Sequence, residues 1–232
     1  MRLDKYLCET STLTRSEAKK TIKAGRVQVN GEPIKSADGN VNENSDRVSL
    51  DGKELTYEKF VYYMLNKPAG VVSATSDRDE TVIDLFEPEL RKGLFPVGRL
   101  DKDTVGLLIV TNDGELGHHL TSPKHKIPKK YYVGIMKPLS PDDIKRLETG
   151  LDIGQGETSA PAVVEVIDDS KIYLTVTEGK FHEVKRMIKA VDNEVIYLKR
   201  VSHGSLTLDD ELKEGEYRRL TSSEIDRLYE HA

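Results

Sequence analysis

The chain contains a single cysteine, Cys8, in 232 residues. An intramolecular disulfide is therefore impossible, and no Cys/His cluster has the spacing of a zinc site. No apolar run approaches the roughly 20 residues needed to span a bilayer. The opening Met1-Arg2-Leu3-Asp4-Lys5 lacks the apolar core of a secretion signal. A Walker loop is missing, as is any Gly-x-Gly-x-x-Gly at a strand–helix junction, which removes the usual nucleotide-phosphate cradles. No helical repeat with a period of about 20–50 residues is evident. The expectation is a protein of the reducing cytoplasm with no membrane span, no metal and no cofactor. Cys8, in an apolar-periodic helix, reads as core packing.

An overall positive charge is lacking too. Lys and Arg number 35 against 40 acids, a formal net charge of -5, which at first argues against a polyanionic partner. Distribution matters more than the total. Within residues 1–30, Arg2, Lys5, Arg15, Lys19, Lys20, Lys23 and Arg26 face only Asp4, Glu9 and Glu17. Between Glu115 and Asp142 there is no acid, while Lys124, Lys126, Lys129, Lys130 and Lys137 all fall there. The acids gather elsewhere, as in Asp209-Asp210-Glu211. Two separate basic regions on an acidic chain point to nucleic acid.

What is present suits a globular protein, with 37% hydrophobic and 32% charged residues. Residues 1–55 read as a small module. Leu3, Tyr6 and Leu7 form a helical stripe, and Thr14 or Ser11 can cap a second helix that Gly25 closes. Val27-Gln28-Val29 alternates as a strand before the hairpin signal Asn30-Gly31, and Arg47 to Leu50 is another strand. A polar linker is expected from Asp51-Gly52-Lys53-Glu54 to about Lys59, and a second domain over 60–232. In it, strands are expected at 61–65, 70–73, 107–111, 131–135, 162–167, 172–176 and 195–201. Helices are expected at 82–86, 114–120, 140–149, 183–191 and 222–229, the last with a Thr221/Glu224 capping box. Such a mixture predicts an α+β fold with an antiparallel-rich sheet and flanking helices; the strand order does not follow from it.

The chemistry concentrates in Val97-Gly98-Arg99-Leu100-Asp101-Lys102-Asp103-Thr104, followed by the apolar Leu107 to Val110 and the turn Asn112-Asp113-Gly114. A carboxylate beside a guanidinium stays ionised and oriented, which suits a nucleophile, a general base or a structural ion pair. The order Gly-Arg-Leu-Asp, Asp-Thr-x-Gly-Leu-Leu and Thr-Asn-Asp-Gly resembles the catalytic motif of the RsuA-type pseudouridine synthases. Further blocks follow in that family's order. Phe60 to Gly70 resembles its opening strand and Asn-Lys-Pro turn, Lys129-Lys130-Tyr131-Tyr132-Val133 its tyrosine motif, and Glu178 to Met187 its late basic motif. Glu183 departs from it, since the family more often has Gln there. Arg-Leu-Asp-Lys-Tyr, Thr-Arg-Ser-Glu-Ala and Gly-Arg-Val-Gln-Val-Asn-Gly near the N-terminus resemble the S4 RNA-binding domain.

The resemblance implies an S4-like domain followed by a catalytic domain with a mixed central sheet. It implies isomerisation of a uridine in ribosomal RNA, most readily small-subunit RNA, with no cofactor. The alternatives are the same chemistry on large-subunit RNA, or a non-catalytic ribosome-assembly factor. Asp101 becomes the nucleophile; attack on the sugar, attack on uracil C6 and proton removal from the ribose all stay open. Tyr131 and Lys185 become its catalytic partners, with Tyr132 the core-facing residue of the tyrosine pair. Asp103 is the second carboxylate and is expected to cap the turn. Arg99, Arg2, Lys5, Arg15, Lys19, Lys20, Arg26, Lys67, Lys129, Lys130 and Arg186 are expected to contact RNA. So, or as surface groups, are His118, His119 and His125, whose spacing does not suit a metal. The expected partner is ribosomal RNA within an assembly intermediate, and the expected state is a monomer.

Overall fold

The computed structural model describes residues 1–230, and the backbone forms two compact units. One comprises residues 1–60 with 87–92, the other residues 61–86 with 93 onward. No described helix is long and apolar enough to cross a membrane.

In the first unit, α1 (Leu3–Thr10) and α2 (Arg15–Lys23) pack Leu3, Tyr6 and Leu7 against Ala18 and Ile22. Thr14 caps α2 in a reciprocal box with Glu17, satisfying two backbone N–H groups the helix leaves over. Strands β1 (Val27–Val29) and β2 (Glu32–Ile34) pair around Asn30-Gly31, whose φ values of 55° and 86° make the tight turn. Strands β3 (Val48–Leu50) and β4 (Lys53–Leu55) complete a sheet of order β2-β1-β3-β4. Asp51-Gly52, expected to open a linker, is instead a second hairpin turn with positive φ at both residues. Beneath Arg2 and Arg15 lies the buried Asp4, 2.9 and 3.6 Å from their guanidinium groups.

The second unit is built on one mixed sheet. Its strands in chain order are β5 (Tyr62–Lys67), β6 (Phe95–Pro96), β7 (Val105–Thr111), β8 (Lys129–Ile135), β9 (Val163–Asp168), β10 (Lys171–Val176), β11 (Val195–His203), β12 (Leu206–Thr207) and β13 (Tyr217–Arg219). They lie in the order β13-β5-β7-β11-β8-β10-β9, with β6 on β7 and β12 on β11. Only β7 and β11 pair in parallel among the described strands; hence the sheet is mixed but antiparallel-rich. Helices α3 (Gly114–Thr121), α4 (Pro141–Thr149), α5 (Glu183–Ala190) and α6 (Ser222–Glu230) flank it. Thr221 and Glu224 cap α6 reciprocally. Every residue of β7 is buried, as a central strand covered on both faces requires. Met64, Leu107, Ile109, Leu116, Leu120 and Leu206 form the core at its centre.

Two expected elements are absent. Residues 70–73 contribute one bridge, Val72 to Thr81, and 82–86 are turns whose Val82, Ile83 and Phe86 are buried. The apolar spacing was therefore real but served a packed loop, where Asp84 accepts hydrogen bonds from the Thr81 backbone and hydroxyl. The short strands β2, β4, β6, β12 and β13 carry no period long enough to read.

Gly106 lets β7 and β11 meet. Its φ is +102°, and a Cβ there would lie 2.3 Å from the Arg200 carbonyl oxygen. Gly106→Ala is expected to cost about 3 kcal/mol through backbone strain and overlap, lowering the melting temperature by roughly 6–12 °C. Thermal unfolding followed by circular dichroism checks this; an unchanged melting point would mean the strands separate without penalty.

Candidate active site

The turn from Leu100 to Thr104 is fastened on three sides. Ser73 donates through its hydroxyl to Leu100 O and accepts from Leu100 N, at 2.9 and 3.1 Å. Gly70 N donates to Lys102 O at 2.7 Å. Lys67, at the end of β5, is fully buried and donates to the carbonyls of Pro68, Lys102 and Thr104 at 2.9, 3.4 and 3.0 Å. Burial pushes its amine down to about 8. Lys67 is thus corrected from an RNA contact to a staple of this turn.

The turn presents Asp101 at the mouth of a cavity of about 280 Å³. Lys185, on α5, places Nζ 2.9 Å from one Asp101 oxygen, and His182 Nε2 lies 3.5 Å from the other. The same lysine reaches Asp103 at 2.6 Å. Partial burial disfavours the lysine charge, but hydrogen bonds to Asp103 and Asp101 outweigh it and hold the amine above its ordinary value. The hydrogen bond from Lys185 holds the Asp103 carboxyl below the usual carboxylate range. Asp103 is therefore a second partner of Lys185 as well as a turn residue.

Tyr131 lies in the cavity lining and Tyr132 does not. Odd-numbered positions of β8 point to the buried face and even-numbered ones away from it, which sets Tyr131 at the cavity and corrects only the expectation that Tyr132 faces the core. Tyr132 instead meets Tyr173 and Tyr197 on the opposite face. Burial raises the Tyr131 phenol, and the adjacent Arg200 guanidinium partly offsets this. Arg99 is exposed at the rim. Lys129 lines the cavity but is only 9% exposed and donates to Ile127 O; burial followed by the nearby Arg200 pushes it down to about 8. It belongs to the floor rather than to an outer phosphate-binding surface. Lys130 is on the far face, paired with Glu165 at 2.8 Å. Arg186 donates to the Ile153, Gly154 and Phe181 carbonyls and to Glu157, so it orders the 153–157 turn instead of standing free for phosphate.

On the first unit, Lys5, Arg15, Lys19, Lys20 and Arg26 are exposed. Arg26 pairs with Asp51 and Arg2 with Asp4 and Asp38. His119 and His125 stack at 3.9 Å, and the described residues hold no metal-binding cluster.

Arg200, His203 and Glu183 also line the cavity and were not singled out as site residues by sequence reasoning. Glu183 is 6% exposed with Oε2 unpartnered. Burial and then the neighbouring Glu178 carboxylate push it up to about 7. One signal for Arg200 was available: in β11 it falls in phase with the buried Leu198, a charge at a position period-two alternation reserves for the interior.

An oriented carboxylate, a cation against it and a buried phenol, around a cavity below the usual size for drug-like ligands, suit chemistry on one base-sized group. A sequence model described as RNA pseudouridylate synthase matches residues 61–190, and one described as S4 domain matches residues 1–46. The uncharacterized RNA pseudouridine synthase YtzG of Bacillus subtilis (strain 168) is 49% identical, over 99% of both chains. The ribosomal small subunit pseudouridine synthase A of Haemophilus influenzae is 41% identical, over 98% of this chain and 99% of that one. A solved structure described as a crystal structure of pseudouridylate synthase is 40% identical, with a TM-score of 0.71 over 98% of this chain and 99% of the other. The chain belongs to the RNA pseudouridylate synthase family, as an isomerase of the RsuA type with an N-terminal S4 domain.

Proposed function

We propose that the protein converts one uridine of small-subunit ribosomal RNA to pseudouridine, with Asp101 as nucleophile and the target base turned out of its helix. The observation that carries this reading is the Asp101–Lys185 pair at 2.9 Å, opening onto a cavity that also holds Tyr131. The reaction breaks the bond from uracil N1 to ribose C1′ and forms one from C5 to C1′, with no redox change. A fixed carboxylate at the sugar–base junction is the group this chemistry needs. The cavity admits one pyrimidine only after extrusion from the stack, at a cost of a few kcal/mol. Exposed Arg99 at the rim and Lys5, Arg15, Lys19 and Lys20 on α1 and α2 are suited to offset that cost through phosphates. Relatives named for the small ribosomal subunit support that choice of RNA. The proposed setting is an assembly intermediate bound by one copy of the chain in the cytoplasm.

Release of tritium from transcripts labelled at uracil C5 tests the reading. Small-subunit transcript is expected to release label at a single site, and large-subunit transcript none. Release from the large-subunit RNA alone would reassign the substrate; release from neither would leave an RNA-binding assembly factor.

A further inference from the structure

Arg200 is the largest fully buried side chain, 2% exposed, and no carboxylate lies within ion-pair distance of it among the described residues. Its Nε donates to Leu107 O at 2.7 Å, while Nη2 is buried without an acceptor. A desolvated cation lacking a counter-charge is costly. Its retention beside a catalytic cavity points to a negative charge that forms there during the reaction.

The strand register identifies where. Arg200 on β11 is directly opposite Tyr131 on β8, and both line the cavity. The guanidinium favours the ionised phenol by its charge. The other charges facing this oxygen are Glu183 from α5 and Asp101 from the turn, and both oppose ionisation. Nearby on the floor, Lys129 is tied to Ile127 O, and His203 is held neutral by burial and by the Arg200 and Lys129 charges. That leaves Arg200 as the cation committed to Tyr131.

We propose that Arg200 is the positioning residue for Tyr131, holding its phenol oxygen toward the base and balancing the phenolate that removes the C5 proton. The role rests on the synthase reading above. Once C5 has bonded to C1′, the Tyr131 phenol gives its own proton to water, and the phenolate so formed takes the C5 proton as the C5–H bond breaks. The electron pair left behind forms the C5–C6 double bond. The former N1–C6 π pair moves to N1, which takes a proton from the hydronium so formed and returns it to water.

Single-turnover rates on small-subunit transcripts carrying 5-deuterated or unlabelled uridine test this. Arg200→Gln is expected to slow turnover by about 100-fold, leave RNA affinity within about threefold and raise the primary isotope effect, because C5–H cleavage becomes limiting. Arg200→Lys, which keeps the charge, is expected to recover about tenfold of the loss. In a Tyr131→Phe background either substitution should add less than about threefold, since the two residues act as a unit. Multiplying losses with an unchanged isotope effect, or no recovery with lysine, would overturn the role. Should Arg200→Gln fail to fold, Arg200→Lys with and without Tyr131→Phe decides the same question. Absence of turnover by the wild-type protein would remove the synthase reading itself, and this role with it.

Discussion

Asp101→Asn is expected to lower isomerisation by on the order of 10⁴-fold or more, leaving the fold and RNA affinity nearly unchanged. Asn keeps the volume and can still accept from Lys185, but it is neither a nucleophile nor a base. The site should survive the change, because Lys185 retains Asp103 at 2.6 Å and the turn is fastened by Ser73, Gly70 and Lys67 rather than by Asp101 itself. Tritium release under single-turnover conditions gives the rate, and a melting curve checks the fold. Activity within tenfold of the wild type would move the nucleophile elsewhere. Asp103, bound to the same lysine, is next in line.

Lys185→Met is expected to cost about 100-fold in turnover at neutral pH, with RNA affinity changed by less than about threefold. Met preserves most of the stem packing and removes the charge. Two carboxylates, Asp101 and Asp103, then face each other with no cation between them. In the wild-type protein Lys185 holds the Asp103 carboxyl below its ordinary range. Without it the Asp103 carboxyl retains a proton to higher pH, and until that proton leaves, Asp103 can occupy the Asp101 carboxylate as a hydrogen-bond donor. Activity of the variant should therefore be lowest in acid and recover as pH rises, with the midpoint displaced upward from that of the wild type. Were Lys185 a phosphate contact instead, binding would weaken at every pH, the salt dependence would become shallower, and turnover at saturating RNA would be near normal.

That the three residues proposed for catalysis would share one cavity was legible because each sits in a short motif whose neighbours fix its local structure. Asp101 is in a polar turn ahead of an apolar strand, Tyr131 in an alternating strand, and Lys185 on an amphipathic helix. Long periodic elements such as α4, α5, β10 and β11 were legible for the same reason. The RNA-contact reading of Lys67, Lys129 and Arg186 failed because a basic residue in sequence carries no mark of the carbonyl groups it will meet. Lys67 meets three of them only once β5 and the Lys102–Thr104 backbone have come together. The orientation of Tyr131 against Tyr132 was likewise set by pairing partners far along the chain. Arg200 broke the apolar alternation of its strand, and such local inconsistency is where function tends to reside.

Lys67 also has a consequence for covalent reactivity. An ordinary lysine amine, near 10.5, is almost wholly protonated at pH 8 and reacts slowly with acylating reagents. Lys67, brought down to about 8 by burial, has a far larger nucleophilic fraction there, yet none of it is exposed. Its reaction with such a reagent is therefore limited by access and proceeds when the turn carrying Asp101 comes away from β5. The rate of acylation at this one amine then reports how often the Asp101 turn opens, a local free energy read by mass spectrometry without any RNA being present.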